Sequence, residues 1–274
     1  MSKKVYEMIT NKIIEKLEQG TVPWEMPFKK GIAVNYVTQN PYRGINAWLL
    51  DGGEYATFKQ IKDNGGKVKK GSKSQLVVFW KLIDVEDEET QEDIRIPLAR
   101  TYNVFKIGEQ TEGIEPKQKD GESFEHDPIE VAEEIVKNYA NRPEYTFNSG
   151  SAYYKPGPDV INVPPIKDFK EISSYYSTMY HEMIHSTGHK NRLDREGVAN
   201  FNGFGTEKYS KEELVAELGA SMLCGIVGIE NSTLDKSASY IQSWLNVLKN
   251  DTSFIVNASQ KAQKAVDYIQ GTKF

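Results

Sequence analysis

His181-Glu182-Met183-Ile184-His185 is the stretch that decides the fold of the second half of the chain. In a helix with 3.6 residues per turn, side chains four positions apart lie on one face, so both imidazoles can reach a single cation. A helical His-Glu-x-x-His segment is typical of zinc peptidases, in which the glutamate acts as a base on a water held by the metal. The pattern predicts metal ligands at His181 and His185 and a catalytic role for Glu182.

A third ligand is expected from a later helix. Residues 210–217 (Ser-Lys-Glu-Glu-Leu-Val-Ala-Glu) open a predicted helix and place Glu213 and Glu217 on one face. In gluzincin-type peptidases the first acid of such a pair binds zinc and the second supports a ligand histidine, which makes Glu213 the ligand and Glu217 its support. If Glu213 instead forms a capping box with Ser210, Glu217 becomes the ligand.

Two imidazoles and one carboxylate are ligands that suit Zn2+, and Mn2+ or Co2+ can occupy the same set. A metzincin site is not expected, because Asn191 stands where its third histidine is required. His189 follows the helix stop predicted at Gly188, so we expect it at the rim of the site or against a substrate. By proximity in sequence alone, candidates for stabilising an oxyanion are Tyr180, Tyr209 and Arg192.

The net charge of −5 hides an asymmetry along the 274 residues. Residues 1–83 hold 14 Lys and Arg against 7 Asp and Glu, whereas residues 111–274 hold 17 against 24. Between them, residues 84–93 contain seven acids and no base. A basic first third followed by an acidic remainder indicates two modules with different partners.

The apolar and cysteine content bears on the cellular compartment. No apolar run approaches the roughly 20 residues that cross a membrane, and no apolar stretch of signal-peptide length follows the N-terminal lysines. The single cysteine, Cys224, excludes an internal disulfide framework and fits a reducing environment. We therefore expect a cytoplasmic protein with no membrane partner.

Apolar periodicity predicts an α+β fold in two domains. Residues 75–83 and 98–107 are predicted strands of a long hairpin whose loop is the acidic stretch. Predicted helices cover the repeat from Val5 to Leu17 and residues 128–140, 173–187, 211–226, 235–249 and 254–270. The domains are then residues 1–110, a small α+β module, and residues 128–274, a mainly helical zincin-like domain, with the polar residues 111–127 as linker.

The front module combines lysines with aromatic residues. Residues 59–81 hold seven lysines and one acid, Asp63. Lysines that follow phosphates, with aromatic rings on which bases stack, are what single-stranded nucleic acid binding requires. The same composition also fits lysines on a solvated face and aromatic rings in a core. The candidate contacts to single-stranded DNA are Tyr42, Arg43, Trp48, Lys59, Lys67, Lys69, Lys70 and Lys73.

Both halves together resemble the ArdC-type antirestriction proteins of plasmids and other mobile elements. In the front half the resemblance rests on Asn40-Pro41-Tyr42-Arg43-Gly44-Ile45-Asn46, Thr57-Phe58-Lys59-Gln60 and residues 65–71; in the back half it rests on residues 180–189, Arg192-Leu193 and residues 212–220. It covers nearly the whole chain in the same order. It implies an N-terminal domain that binds single-stranded DNA, a C-terminal zincin-like metallopeptidase domain, and protection of incoming DNA from host restriction.

Three functional hypotheses follow, and the first is preferred. The first is an antirestriction protein that binds single-stranded DNA and carries a zinc-dependent, peptidase-like site. The second is a metallopeptidase that acts on a protein, such as a host restriction enzyme subunit. The third is a DNA-binding shield whose metal is purely structural. Glu182 favours an enzyme, because a structural metal site does not need that residue.

Overall fold

The computed structural model describes residues 2–19, 22–25, 33–86, 93–117, 128–199, 207–229 and 238–272. The front half contains helices α1 (Ser2–Glu18), α2 (Asn46–Leu49) and α3 (Phe58–Asp63) and strands β1 (Ala33–Asn35), β2 (Gly53–Thr57), β3 (Lys67–Val68), β4 (Gln75–Glu86), β5 (Asp93–Lys106) and β6 (Thr111–Glu112). The back half contains α4 (Pro128–Asn138), β7 (Glu144–Thr146), β8 (Tyr153–Lys155), β9 (Val160–Asn162), α5 (Ile172–Thr187), α6 (Glu196–Ala199), α7 (Glu207–Val227), α8 (Ala238–Asn250) and α9 (Phe254–Gln270). The predicted α+β class is confirmed.

A four-stranded sheet in the order β1-β2-β5-β4 forms the centre of the front half. β1 pairs with β2 in parallel, and β5 runs antiparallel to both β2 and β4. The β4–β5 pairing extends from Gln75 opposite Val104 to Glu86 opposite Asp93. The predicted hairpin is therefore confirmed but is longer than expected, because alternating apolar residues continue the ladder into the acidic stretch. Residues 87–92 of that stretch lie outside the described residues.

Helices dominate the back half, where a three-stranded sheet in the order β7-β9-β8 lies beside α5. α5 ends at Thr187, immediately before the predicted stop at Gly188. The helices predicted over residues 211–226, 235–249 and 254–270 correspond to α7, α8 and α9. Within the described part of the chain, no helix combines the length and apolar character that crossing a bilayer demands.

The two predicted modules share one hydrophobic core. Ile9, Trp24 and Trp48 of the front half belong to the same buried cluster as Met183 and Leu214 of the back half. The ring of Trp24 meets the ring of Trp244 edge-on, with centroids 5.2 Å apart. The first residues of the segment 111–127 assigned as linker pack in the front half, because β6 pairs with β3 and Ile114 is buried beside Ala56. For residues 118–127, which lie outside the described residues, the linker stays a prediction.

Helices α5 and α7 approach each other closely at Gly219. A Cβ atom on Gly219 would lie 2.6 Å from Cδ1 and 2.8 Å from Cγ1 of Ile184, well inside van der Waals contact. Leu218 and Ala220, on either side, are fully buried. The missing side chain of Gly219 therefore sets how near the two helices lie.

Gly219→Ala should lower the free energy of unfolding by about 1–2 kcal/mol. Overpacking typically costs about 1–3 kcal/mol, and the higher helix propensity of alanine returns at most about 1 kcal/mol of that. Urea unfolding followed by circular dichroism measures the change. Gly157→Ala is the matched control, because nothing lies within 4 Å of its added Cβ. Adding Ile184→Val, which removes Cδ1, should restore part of the loss; a single variant as stable as the parent would contradict the account.

Candidate metal centre

Three predicted ligands converge where α5 faces α7. The Nε2 atoms of His181 and His185 lie 3.0 Å apart. Glu213 places Oε2 3.5 Å from Nε2 of His181 and Oε1 3.3 Å from Nε2 of His185. Among the described residues, these three form the group of side chains whose ligand atoms all lie within 4.8 Å of one another.

The size of this group fits a transition-metal ion. Ligand atoms bound tetrahedrally at 2.0–2.2 Å from zinc lie about 3.3–3.6 Å from one another. The two Nε2 atoms here are 3.0 Å apart, and each lies 3.3 or 3.5 Å from a different oxygen of Glu213, which is close to that range. When both imidazoles are neutral with their protons on Nδ1, as metal binding requires, their Nε2 lone pairs face each other across this gap and can be shared by one cation.

Carboxylates stand behind both imidazoles. Oε1 of Glu217 lies 3.3 Å from Nδ1 of His181, and Oε1 of Glu212 lies 3.6 Å from Nδ1 of His185. A carboxylate behind Nδ1 favours a proton on that atom and leaves Nε2 free for a metal, although Nδ1 of His181 faces Glu217 without a hydrogen bond of good geometry. Oε2 of Glu217 is buried without a hydrogen bond from any described residue, so positive charge at the His181 side relieves its burial.

Two observations decide which of Glu213 and Glu217 is the better candidate ligand: the atoms each one faces and the residue at which α7 begins. Glu213 reaches both Nε2 atoms, whereas Glu217 reaches the opposite side of the His181 ring. The capping-box alternative for Glu213 is wrong, because α7 starts at Glu207 and Glu213 already lies in its second turn. The geometry therefore favours Glu213 as ligand and Glu217 as its support.

Arg195 holds Glu212 in place, and sequence reasoning missed both residues. The buried guanidinium donates through Nε to the two carboxylate oxygens of Glu212 at 3.1 and 3.2 Å. It also donates to the carbonyl of Ile184 at 2.7 Å and to Oγ1 of Thr187 at 2.6 Å, near the end of α5. No spacing marks Arg195 or Glu212 in the sequence, since their pairing arises only when α5 and α7 pack.

Glu182 lies next to the candidate ligand His181 and is 8 % exposed. Burial raises its pKa above the usual value, while His181 and His185 oppose the shift. The backbone of Tyr154 in strand β8 faces the Glu182 carboxylate and favours its charged form. A carboxylate with a raised pKa, fixed between a helix and an edge strand, is suited to exchange a proton with a neighbouring water.

The buried acids control the charge of the two histidines. Burial lowers the pKa of His181, but the carboxylates of Glu217 and Glu213 outweigh it and raise the pKa well above the usual value. Burial likewise opposes the effect of Glu212 and Glu213 on His185, and the net result raises its pKa to about 9. Burial raises the pKa of Glu213, yet hydrogen bonds from both imidazoles hold it far below its usual range. The site therefore attracts positive charge strongly.

The neighbouring polar residues play structural parts. His189 is buried, and its Nδ1 accepts a hydrogen bond from the Asn191 amide at 3.2 Å, so it does not lie at a solvated rim. Tyr180 donates to the carbonyl of Ala132. Arg192 forms an ion pair with Asp159 and donates to the Ser186 carbonyl, so its guanidinium is occupied in the fold. The side chain of Tyr209 lies outside the described part of the structure.

Both aromatic residues among the predicted DNA contacts are core residues, which corrects that prediction. Trp48 is 2 % exposed and Tyr42 is 5 % exposed, so neither ring has a face free for a base. Composition could not distinguish these rings from surface ones. Arg43 forms an ion pair with Asp267 of α9, which ties the front half to the back half.

The predicted lysines divide into two groups. Lys69 donates to the carbonyls of Gly108 and Glu109, both at 3.0 Å, and so fastens the β3–β6 region. Lys59 is exposed but paired with Asp63 at 2.8 Å. The remaining three have exposed side chains, as a phosphate-contacting surface requires, and are Lys67, Lys70 and Lys73.

Known proteins match the chain over nearly all of its length. A family model described as the N-terminal domain of anti-restriction factor ArdC matches residues 3–105, and one described as a zincin-like metallopeptidase matches residues 130–261. A crystal structure of the antirestriction ArdC protein from R388 plasmid, in its metal-free form, is 35 % identical, with a TM-score of 0.78 over 98 % of this chain and 99 % of that one. The chain belongs to the ArdC family of antirestriction proteins. Its back half is a zincin-like domain.

Three further proteins or structures match the chain. The Mn(II)-bound form of the R388 protein is 33 % identical, with a TM-score of 0.77 over 97 % of each chain. The uncharacterized protein y4eC of Sinorhizobium fredii is 31 % identical over 97 % of this chain and 91 % of its own length. A DNA primase TraC of Escherichia coli is 32 % identical over 97 % of this chain. The chain spans only 20 % of that primase.

Metal binding should strengthen as the pH rises from 7 to 9. The imidazole of His185, whose pKa is about 9, is protonated at neutral pH in the metal-free protein and must lose that proton to bind a cation. Each displaced proton makes the apparent affinity about tenfold tighter per pH unit. Competition with a chromophoric chelator for Zn2+ at pH 7, 8 and 9 measures the slope. Glu212→Gln removes a carboxylate that raises this pKa and should flatten the slope; an affinity independent of pH in the parent protein would refute the assignment.

Proposed function

We propose that this ArdC-family protein binds single-stranded DNA through its front half and carries a metal-dependent, peptidase-like site in its back half. Residues 1–110 supply the first activity and residues 128–274 the second, with 111–127 as linker. Acting in the cytoplasm, the protein protects incoming DNA from restriction by the host. The observation that carries the proposal is the convergence of His181, His185 and Glu213 beside Glu182.

The residues around the metal centre support a hydrolytic role. A bound Zn2+ ion, or Mn2+ or Co2+ in its place, supplies Lewis acidity. Glu182 takes the proton of the attacking water onto its carboxylate and passes it to the leaving amine. Its raised pKa matches this exchange. The R388 relative with bound Mn(II) supports manganese as an occupant of the site.

Strand β8 offers a place for an extended peptide. β8 is an edge strand of the β7-β9-β8 sheet among the described residues, and its Tyr154 backbone contacts Glu182. A substrate strand can add to such an edge through main-chain hydrogen bonds. A protein substrate, with host restriction enzyme subunits as candidates, therefore fits the geometry beside the metal.

Exposed lysines and a relative support the nucleic acid partner. Lys67, Lys70 and Lys73 leave their side chains exposed within a stretch that contains one acid. Two glycines in this stretch, Gly65 and Gly71, have φ of +84° and +87°, which lets the backbone turn tightly between the lysines. The matching segment of a DNA primase also favours a role on DNA.

Glu182→Gln should separate the enzyme from a shield with a structural metal. Removing a general base typically lowers the rate of hydrolysis by about 10²- to 10⁴-fold, whereas the three metal ligands stay in place. Cleavage of purified restriction enzyme subunits, zinc content and protection of transferred DNA are measured on the same preparation. Glu144→Gln, an exposed acid of β7, is the control. If the parent protein cleaves no subunit and the Glu182→Gln variant protects transferred DNA as well as the parent does, the protein is a DNA-binding shield with a structural metal.

Replacing Lys67, Lys70 and Lys73 together by Gln should weaken oligonucleotide binding and its salt dependence. Each phosphate contact contributes about 0.7 to the log–log salt slope for single strands, so the slope should shrink by about 2. Fluorescence anisotropy with labelled oligo(dT) between 50 and about 200 mM salt measures it. The same replacement at three exposed lysines of the back half, Lys167, Lys170 and Lys264, is the control. An affinity of the parent protein that does not change with salt would remove the DNA-binding proposal.

A further inference from the structure

Two aromatic rings on the β4–β5 hairpin are exposed, in contrast to Trp48 and Tyr42. Phe79 is 48 % exposed and Tyr102 is 41 % exposed. Their centroids lie 5.7 Å apart at an interplanar angle of 73°. Phe79 pairs with Arg100 and Tyr102 pairs with Val77, so both rings project from the same face of the hairpin.

Buried aromatic rings pack against Phe79 on the side that faces the protein interior. The ring of Tyr42 contacts Phe79 with centroids 6.3 Å apart, and Tyr55 contacts Tyr42 at 6.4 Å. Tyr42 and Tyr55 belong to a small buried cluster with Val77 and Val104. Phe79 is therefore held in a fixed orientation, which lowers the entropy that a ligand loses on binding it.

Basic residues flank the two rings. Arg100 is exposed and lies directly across the hairpin from Phe79. Lys4 of α1 lines a shallow cavity together with Arg100 and Tyr102. Lys73 precedes Val77, the partner of Tyr102, by four residues, which span at most about 14 Å. Positive groups therefore lie on both sides of the rings, as a strand that carries both phosphates and bases requires.

We propose that Phe79 and Tyr102 form a base-stacking platform for single-stranded DNA, with Arg100 and Lys4 beside it for the backbone phosphates. This inference rests on the proposed DNA-binding function and identifies where the bases bind. Flanking cations favour a polyanion over a second copy of the chain or an apolar peptide as occupant. Stacking uses the face that every base has, so the platform binds without marked sequence preference.

The test compares two probes of equal length and charge, oligo(dT) and an oligonucleotide of abasic sites. The double variant Phe79→Leu/Tyr102→Leu keeps apolar side chains and removes both rings. Loss of one stacked base weakens binding about 5- to 150-fold. We expect the affinity of the variant for oligo(dT) to fall at least about 5-fold. Its affinity for the abasic probe and its salt slope should equal those of the parent, because the phosphate contacts persist.

Two further variants make the result specific to ring stacking. Phe79→Tyr retains a ring at the platform and should preserve affinity for oligo(dT). Phe147→Leu removes an exposed ring of the back half and should also leave affinity unchanged. Thermal unfolding of each variant verifies that the fold is intact.

The outcomes separate the platform from the proposed function. If the parent binds oligo(dT) and the double variant binds it equally well, the platform is wrong and DNA binding stands. If the parent does not bind oligo(dT), both are overturned. Equal losses for oligo(dT) and the abasic probe, or a dimer of the parent that the double variant converts to monomer in sedimentation, also overturn the platform.

Discussion

The contact between α5 and α7 is the constraint on which the metal centre depends. α5 carries both histidines and α7 carries the glutamate, so neither helix forms the site alone. Gly219 and Ile184 set the distance between the helices. A wider separation there would move Glu213 away from the two imidazoles, whose ligand atoms already lie near the spacing that a single ion allows. Arg195 adds a polar clamp by joining Glu212 of α7 to carbonyl and hydroxyl groups near the end of α5.

Local periodicity predicted the parts of this centre that lie within one helix. The spacing of His181 and His185 requires only the geometry of a helical turn. The order of Glu213 and Glu217 needed a template from known peptidases, because two acids four residues apart carry no mark of which faces the ion. Glu212 and Arg195 could not be predicted, since their 17-residue separation is bridged only by tertiary packing.

The aromatic residues show a different limit of sequence reasoning. Lysine-rich composition led to the proposal of a DNA-binding surface, but composition does not show which rings are buried. Strand alternation in β4 and β5 narrows the choice, because Phe79 and Trp80 must point to opposite faces. Trp80 packs against the large core, whereas Phe79 lies at the margin of a smaller cluster and is half exposed. Which of the two faces is buried depends on the helices that pack against one of them, and the sequence alone does not show where those helices lie.

The shared core joins the two chemistries more tightly than a two-module description suggests. Ser221 of α7 donates a hydrogen bond to the carbonyl of Trp24 in the front half. Ser221 lies two turns after Glu213 on the helix that supplies this third candidate ligand. Arg43 and Asp267 make a second connection between the halves. Because packing is dense and the interior deforms little, we expect the front half to support the part of α7 that carries Glu213. This structural role at the candidate metal centre is separate from the binding role proposed for the front half.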